Sequence, residues 1–195
     1  MSRHESSCID AFRQALERYA SDHPDESANV VRFQRLLADG RPAFDRGHLP
    51  GHFTASALVF DRRCERVLLT HHRKLDIWIQ LGGHADGDAR LHLVAHREAV
   101  EESGLIGIAP AADRIVDIDI HTIPSHGSEP RHEHYDVRYA FVANPPHPLV
   151  VSDESHDLAW VSVDRLREVS GEVSLHRAVT RGLRVAMNDI PVVDR

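Results

Sequence analysis

From Gly83 to Leu105 the chain reads GHADGDARLHLVAHREAVEESGL. Between Ala89 and Glu102 the apolar residues Leu91, Val94, Ala95 and Ala99 recur at helical spacing. Gly104 stands where a helix C-cap belongs. On such a helix Glu98, Glu101 and Glu102 fall at i, i+3 and i+4, so one face carries three carboxylates. Unrelieved, these charges repel one another and disfavour full ionisation. A hard divalent cation removes that penalty, and clustered carboxylate oxygens suit Mg²⁺ or Mn²⁺. Arg97 is spaced to pair with Glu101 one turn on. Taken without its surroundings, the same pattern is only a solvated acidic face.

Outward from this stretch, Asp76 to Leu81 reads as a short strand containing Trp78, stopped by Gly82-Gly83. Thr54–Phe60 and Arg66–Thr70 read as two strands around a turn at Asp61-Arg62-Arg63. Ile115–His121 alternates as a strand. In His134–Val142, Tyr135, Val137, Tyr139 and Phe141 face one way and His134, Asp136 and Arg138 the other. Leu158–Val161 is a further short strand, and Val163–Val169 and Val173–Met187 read as helices. Strands and helices mixed without regular alternation predict an α+β fold, a mixed sheet between helices.

The first fifty residues read differently. Ile9, Phe12, Leu16 and Tyr19 give Ser7–Ala20 a helical face, broken at Asp22-His23-Pro24. Val30, Phe33, Leu36 and Leu37 do the same for Glu26–Ala38, with Gly40 as its cap. Arg41–Gly51 reads as a linker. The expectation is a helical extension and linker over residues 1–50, then the main domain over 51–195. The extension is read as a hairpin packed on that domain or, alternatively, as an arm for a homodimer.

Composition narrows the function. The 195 residues are 42% apolar and 27% charged, enough to bury a core without covalent staples. A formal charge of −7 argues against a binder of nucleic-acid polymers or anionic membranes, and leaves room for a small phosphorylated ligand at a local site. With only Cys8 and Cys64 there is no disulfide framework, which fits a reducing cytoplasm. No signal segment or membrane span is expected. Histidine occurs 16 times without a tag-like run. His132, His134 and Asp136 lie at i, i+2 and i+4, and an extended chain turns them to one side. Two histidines and a carboxylate can hold a transition metal or line a substrate pocket; the plain alternative is a solvated strand face.

The stretch from Gly83 resembles the box of the Nudix hydrolase family, G-x5-E-x7-R-E-U-x-E-E-x-G-U, with U aliphatic. Gly83, Arg97, Glu98, Ala99, Glu101, Glu102, Gly104 and Leu105 match it in register, eight of its nine specified positions. The lead-in from Trp78 to Gly83 and the strands from Thr54 to Thr70 are also similar, and the likeness spans about residues 52–187. It implies an α/β/α sandwich and a metal-dependent hydrolase of nucleoside diphosphates linked to another moiety. Arg97, Glu98, Glu101 and Glu102 would then be catalytic. Glu98, Glu101, Glu102, the Gly82 carbonyl and, in a late loop, Glu154 would hold Mg²⁺ or Mn²⁺. Arg73 and Lys74 fall where members place a basic phosphate contact, and His84 directly follows the glycines; with His132, His134 and Asp136 these are the substrate-binding candidates.

One position departs: the box glutamate falls at Ala89, with Asp88 the nearest carboxylate. Two other readings follow, a non-catalytic metabolite binder with this fold and an isopentenyl-diphosphate-isomerase-like enzyme. The latter resembles the chain in having a His-rich metal site, but uses a cysteine near the strand that here reads Leu81-Gly-Gly-His84.

Overall fold

Two long, largely apolar segments form the centre of the sheet. In the computed structural model, which describes residues 3–127, 129–143, 148–153 and 155–189, these are β1 (Gly51–Asp61) and β7 (His132–Ala143). They pair in parallel along their whole length, from Gly51 beside Glu133 to Asp61 beside Ala143. Strands buried on both faces read as nearly continuous apolar runs, and β1 is buried at every position. Around the pair stand β2 (Arg66–His72), β3 (Ile77–Ile79), β4 (Leu81–His84), β5 (Ile108–Pro110), β6 (Asp117–Ile123) and β8 (Ser155–Ser162). β2 and β4 run antiparallel to β1, β5 and β6 antiparallel to β7, and β3 and β8 antiparallel to β2. The sheet is therefore mixed, as expected.

Helices cover both faces. Phe53, Ala55, Ala57 and Val59 of β1 join Tyr135, Val137, Tyr139 and Phe141 of β7 under α3 (Leu91–Ser103), α1 (Arg3–Asp22) and α2 (Ser27–Leu37). The opposite face is apolar at one end, where Leu58, Phe60, Val67 and Leu69 meet Leu175, Ala178 and Val179 of α5 (Val173–Asp189). At its other end that face turns polar, with His52, Thr54 and Ser56 beside His134, Asp136 and Arg138, all of them well covered.

The N-terminal helices pack into the core as a hairpin. Phe12, Phe33 and Phe44 surround Phe53 with ring centroids 4.8–5.9 Å away. Each fully buried aromatic of this kind contributes about 2–3 kcal/mol of apolar burial. The segment read as a linker holds a short 3-10 turn, Arg41–Phe44, whose Ala43 and Phe44 are buried.

Two readings of the elements need correction, and strand β5 was not expected at all. Gly82-Gly83 does not end a strand but lies inside β4, paired with Ser56 and Ala55 of β1. Strand β5 carries too few residues to show a period. The helix expected over Val163–Val169 is a 3-10 turn, Val163–Arg165, followed by the single turn α4 (Leu166–Val169).

The polar face of the sheet is held by ions in a nearly dry setting. Arg138 is 2% exposed and donates to Asp136 at 2.8 Å and Asp117 at 3.1 Å. From α5, Arg177 donates to Asp117 and Asp119, and Arg181 to Asp117, Glu26 and the Tyr19 hydroxyl. Buried charge persists only when paired and hydrogen-bonded, and here three arginines neutralise the facing carboxylates. The network also ties α5 to the N-terminal hairpin.

Candidate active site

The segment from β4 to α3 brings the box carboxylates against the sheet. Strand alternation sends the Gly83 position toward α3 and the flanking Gly82 and His84 positions to the opposite, polar face. A Cβ on Gly83 would lie 2.5 Å from a Glu98 carboxylate oxygen, so only glycine admits that carboxylate beside the strand. One turn on, Glu102 is buried, with its Oε1 3.4 Å from the Gly82 amide nitrogen. Glu101 stands apart, its side chain 62% exposed. The helix ends at Gly104, whose φ of 68° is the left-handed cap, and Val150 packs over it.

Arg97 makes the expected i, i+4 ion pair with Glu101, but its closer partner is Glu98. Its Nη2 donates to Glu98 Oε1 at 2.7 Å and to the His84 carbonyl at 3.3 Å, while Glu101 is 3.9 Å away. Asp88 does not take the place of the missing carboxylate. It accepts both a bidentate contact from the Arg90 guanidinium and the Arg90 amide. Asp86 is engaged with Arg46. Ala89 packs against the apolar core, so with no carboxylate at that position Arg97 turns to Glu98.

On the other side of β4 lies a cluster of imidazoles. The parallel register sets His52 beside His134, and β6 sets His121 opposite His134. His84 completes the group: its ring lies 5.2 Å from that of His52 and 5.0 Å from that of His134. His132 stands 5.0 Å from His52, its ring stacked. This face is not solvated: His52 is 1% exposed and His132 9%. Burial pushes the His134 imidazolium pKa down to about 2 and that of His52 to about 4, with the neighbouring imidazoles adding to both shifts. Both rings are therefore neutral at pH 7.

Asp136 does not join the histidines. It accepts from the Thr54 and Ser56 hydroxyls and from Arg138 Nε, and it is 1% exposed. Its place beside His134 and His132 is taken by His52, which the sequence reading passed over. Asp119 is also new. Burial alone would raise its pKa, but the His121 hydrogen bond and the charges of Arg138 and Arg177 outweigh that and hold it at about 2.

Arg73 and Lys74 lie on the turn after β2. Arg73 donates to the Ser155 carbonyl at 3.0 Å, and Lys74 is exposed. Phe53, Tyr135 and Tyr139 are buried in the core and offer no face for stacking a base. Glu154 lies outside the described residues.

A NUDIX domain family model matches residues 50–182. The chain belongs to the NUDIX family. Membership supports the reading of the protein as a Nudix-type pyrophosphohydrolase. Solved structures agree on the fold. A Nudix hydrolase from M. smegmatis, RenU, superposes with a TM-score of 0.54 at 21% identity, covering 74% of this chain and 91% of that one. The E. coli dihydroneopterin triphosphate pyrophosphohydrolase gives 0.53 at 15% identity, covering 68% and 94%. The C. elegans Ap4A hydrolase binary complex gives 0.50 at 14% identity, covering 66% and 93%. No curated protein matches the sequence. The domain match begins one residue before β1, after the N-terminal hairpin.

Proposed function

We propose that this NUDIX protein is a divalent-metal-dependent hydrolase that cleaves the diphosphate linkage of a nucleoside diphosphate joined to another moiety. The observation that carries this is the approach of Glu98 and Glu102, from one face of α3, to the Gly82-Gly83 backbone of β4. The donors there are hard oxygens. Glu98 and Glu102, with Glu101 and the Gly82 carbonyl at the rim, would hold Mg²⁺ or Mn²⁺. Such a cation, when bound, neutralises charge on diphosphate oxygens and acidifies a water. The chain's own residues supply the rest. Glu98 accepts the proton of the attacking water, and Arg97 fixes the Glu98 rotamer through its 2.7 Å contact. The water oxygen forms a bond to phosphorus, the bridging P–O bond breaks, and the leaving phosphate departs with its bridging oxygen and the electron pair. His84, Arg73 and Lys74 contribute positive or hydrogen-bonding contacts to the substrate phosphates. The partner in this reading is a small phosphorylated metabolite or nucleotide in the cytoplasm.

One observation favours a second reading. Ala89 replaces the box glutamate and Arg97 is diverted to Glu98, as in a protein that binds diphosphates without turning them over. The isomerase reading gains nothing, because β4 holds no cysteine: Cys8 lies on α1 and Cys64 on the turn after β1.

The test is a panel of nucleoside triphosphates, ADP-ribose, dinucleoside polyphosphates, NADH and sugar nucleotides with Mg²⁺ or Mn²⁺, run beside Glu101→Gln and Glu102→Gln. Turnover of a compound that is lost in Glu102→Gln is the expected result. Binding without turnover, with activity gained in Ala89→Glu, would instead establish the second reading.

A further inference from the structure

The imidazole cluster behind β4 carries an inference separate from the carboxylates. Two of its rings have tautomers fixed by carbonyls, which only accept. His52 Nδ1–H donates to the His48 carbonyl at 3.4 Å, and His132 Nδ1–H donates to the Pro130 carbonyl at 2.9 Å. In that tautomer each ring turns an Nε2 lone pair inward. His52 Nε2 is buried and meets no hydrogen-bond partner. His132 Nε2 faces His134 Nε2 at 3.2 Å. One nitrogen from each of His52, His132 and His134 lies within 4.8 Å of the others. An unsatisfied acceptor buried in this way costs about 1–3 kcal/mol unless something is bound there.

We infer that His52, His132 and His134 form a site for a zinc-class transition-metal cation, held by ring nitrogens. Tetrahedral coordination at Zn–N distances of about 2.0–2.1 Å requires ligand nitrogens about 3.3 Å apart. The His132–His134 pair is already at 3.2 Å. Carbonyls behind Nδ1 of His52 and His132 are the outer partners that orient metal-binding imidazoles. His84 is the nearest further imidazole, and a water or substrate oxygen is the alternative fourth donor. Three neutral nitrogens select against Mg²⁺, which takes oxygen. The two faces of β4 thus offer chemically distinct donor sets, oxygen toward α3 and nitrogen toward the polar face. His84 touches both, with its carbonyl accepting from Arg97 and its ring among the histidines. The nitrogen site stands whether or not the carboxylates catalyse hydrolysis.

Cobalt tests it without any assay of activity. The full-length protein, freed of metal and kept in a large excess of Mg²⁺, is titrated with Co²⁺. Calorimetry gives the stoichiometry, and visible absorption reports coordination. One tight equivalent with the intense bands of a four-coordinate nitrogen site is expected. His132→Gln and His134→Gln, each checked by circular dichroism, should bind that equivalent more than about 100-fold more weakly, beyond the loss typical of an outer partner. Glu98→Gln and Glu102→Gln should bind it unchanged. No tight equivalent in the wild type, a spectrum retained in both folded histidine variants, or one lost in the glutamate variants would overturn the assignment. If one histidine variant fails to fold, the other decides.

Discussion

Glu98 and Glu102 reach the β4 backbone and Glu101 does not, so the three carboxylates should respond unequally to substitution. Glu98→Gln, which removes the proposed proton acceptor, and Glu102→Gln, which removes a proposed metal-holding carboxylate, are each expected to lower kcat/KM roughly 10²–10⁴-fold, with a smaller effect for Glu101→Gln. Steady-state kinetics on the substrate found in the panel will check the order. In the proposed reaction Arg97 acts on the water only through Glu98. Arg97→Ala should therefore lower kcat about 10–100-fold while leaving KM and the melting temperature nearly unchanged, and Arg97→Lys should recover part of the loss. The spacing of Glu98, Glu101 and Glu102 was legible from the sequence because helical geometry is regular. The i, i+4 spacing also showed the Arg97–Glu101 pair, but not the closer contact to Glu98, because helical periodicity says nothing of adjacent residues. Likewise the alternation of β7 showed His132, His134 and Asp136 on one side, but only the register with β1 shows that His52 joins them and that Asp136 is taken by Ser56, Thr54 and Arg138.

At the scale of elements, the N-terminal hairpin bears on stability as well as on shape. Phe33 is fully buried, with its ring 5.9 Å from Phe53 and 5.2 Å from Tyr135. Phe33→Ala should cost about 3–5 kcal/mol in urea unfolding, whereas Val31→Ala, at an exposed position on the same helix, should stay within about 0.5 kcal/mol. Equal effects would mean that the hairpin is not integral to the fold. The apolar periods of α1 and α2 were legible because each helix buries a single stripe. The parallel pairing of β1 with β7 was not, because the pattern of a strand shows which residues share a face but not which strand lies beside it. Strand β4 was missed for a related reason: two glycines in sequence read as a stop, while here they are what lets Glu98 and the β1 backbone approach so closely.

Across the whole molecule, the charge network on the polar face makes acid stability a property of the fold. Asp119 has a depressed pKa, about 2 in the folded protein against 3.8, so its contribution is present above pH 3.8 and is lost as pH falls toward 2. Asp119→Asn should destabilise the protein by about 2 kcal/mol at pH 7 and by progressively less as the pH approaches 2, as followed by chemical unfolding at each pH. A difference that did not shrink with acid would mean that the carboxylate charge is not what matters there. The α5 arginines that neutralise this network, Arg177 and Arg181, sit on a helix whose pattern was legible, but their partners lie more than fifty residues away in sequence and no local pattern reveals them.

The most direct measurement of the account is Mg²⁺-dependent hydrolysis in ¹⁸O-labelled water, comparing wild type, Glu98→Gln and Glu102→Gln on the diphosphate turned over in the panel. Label should enter a product phosphoryl group, the rate should rise to saturation with Mg²⁺, and both variants should lose at least about 100-fold. Turnover of the same rate in either variant, or label in a non-phosphoryl product, would contradict it.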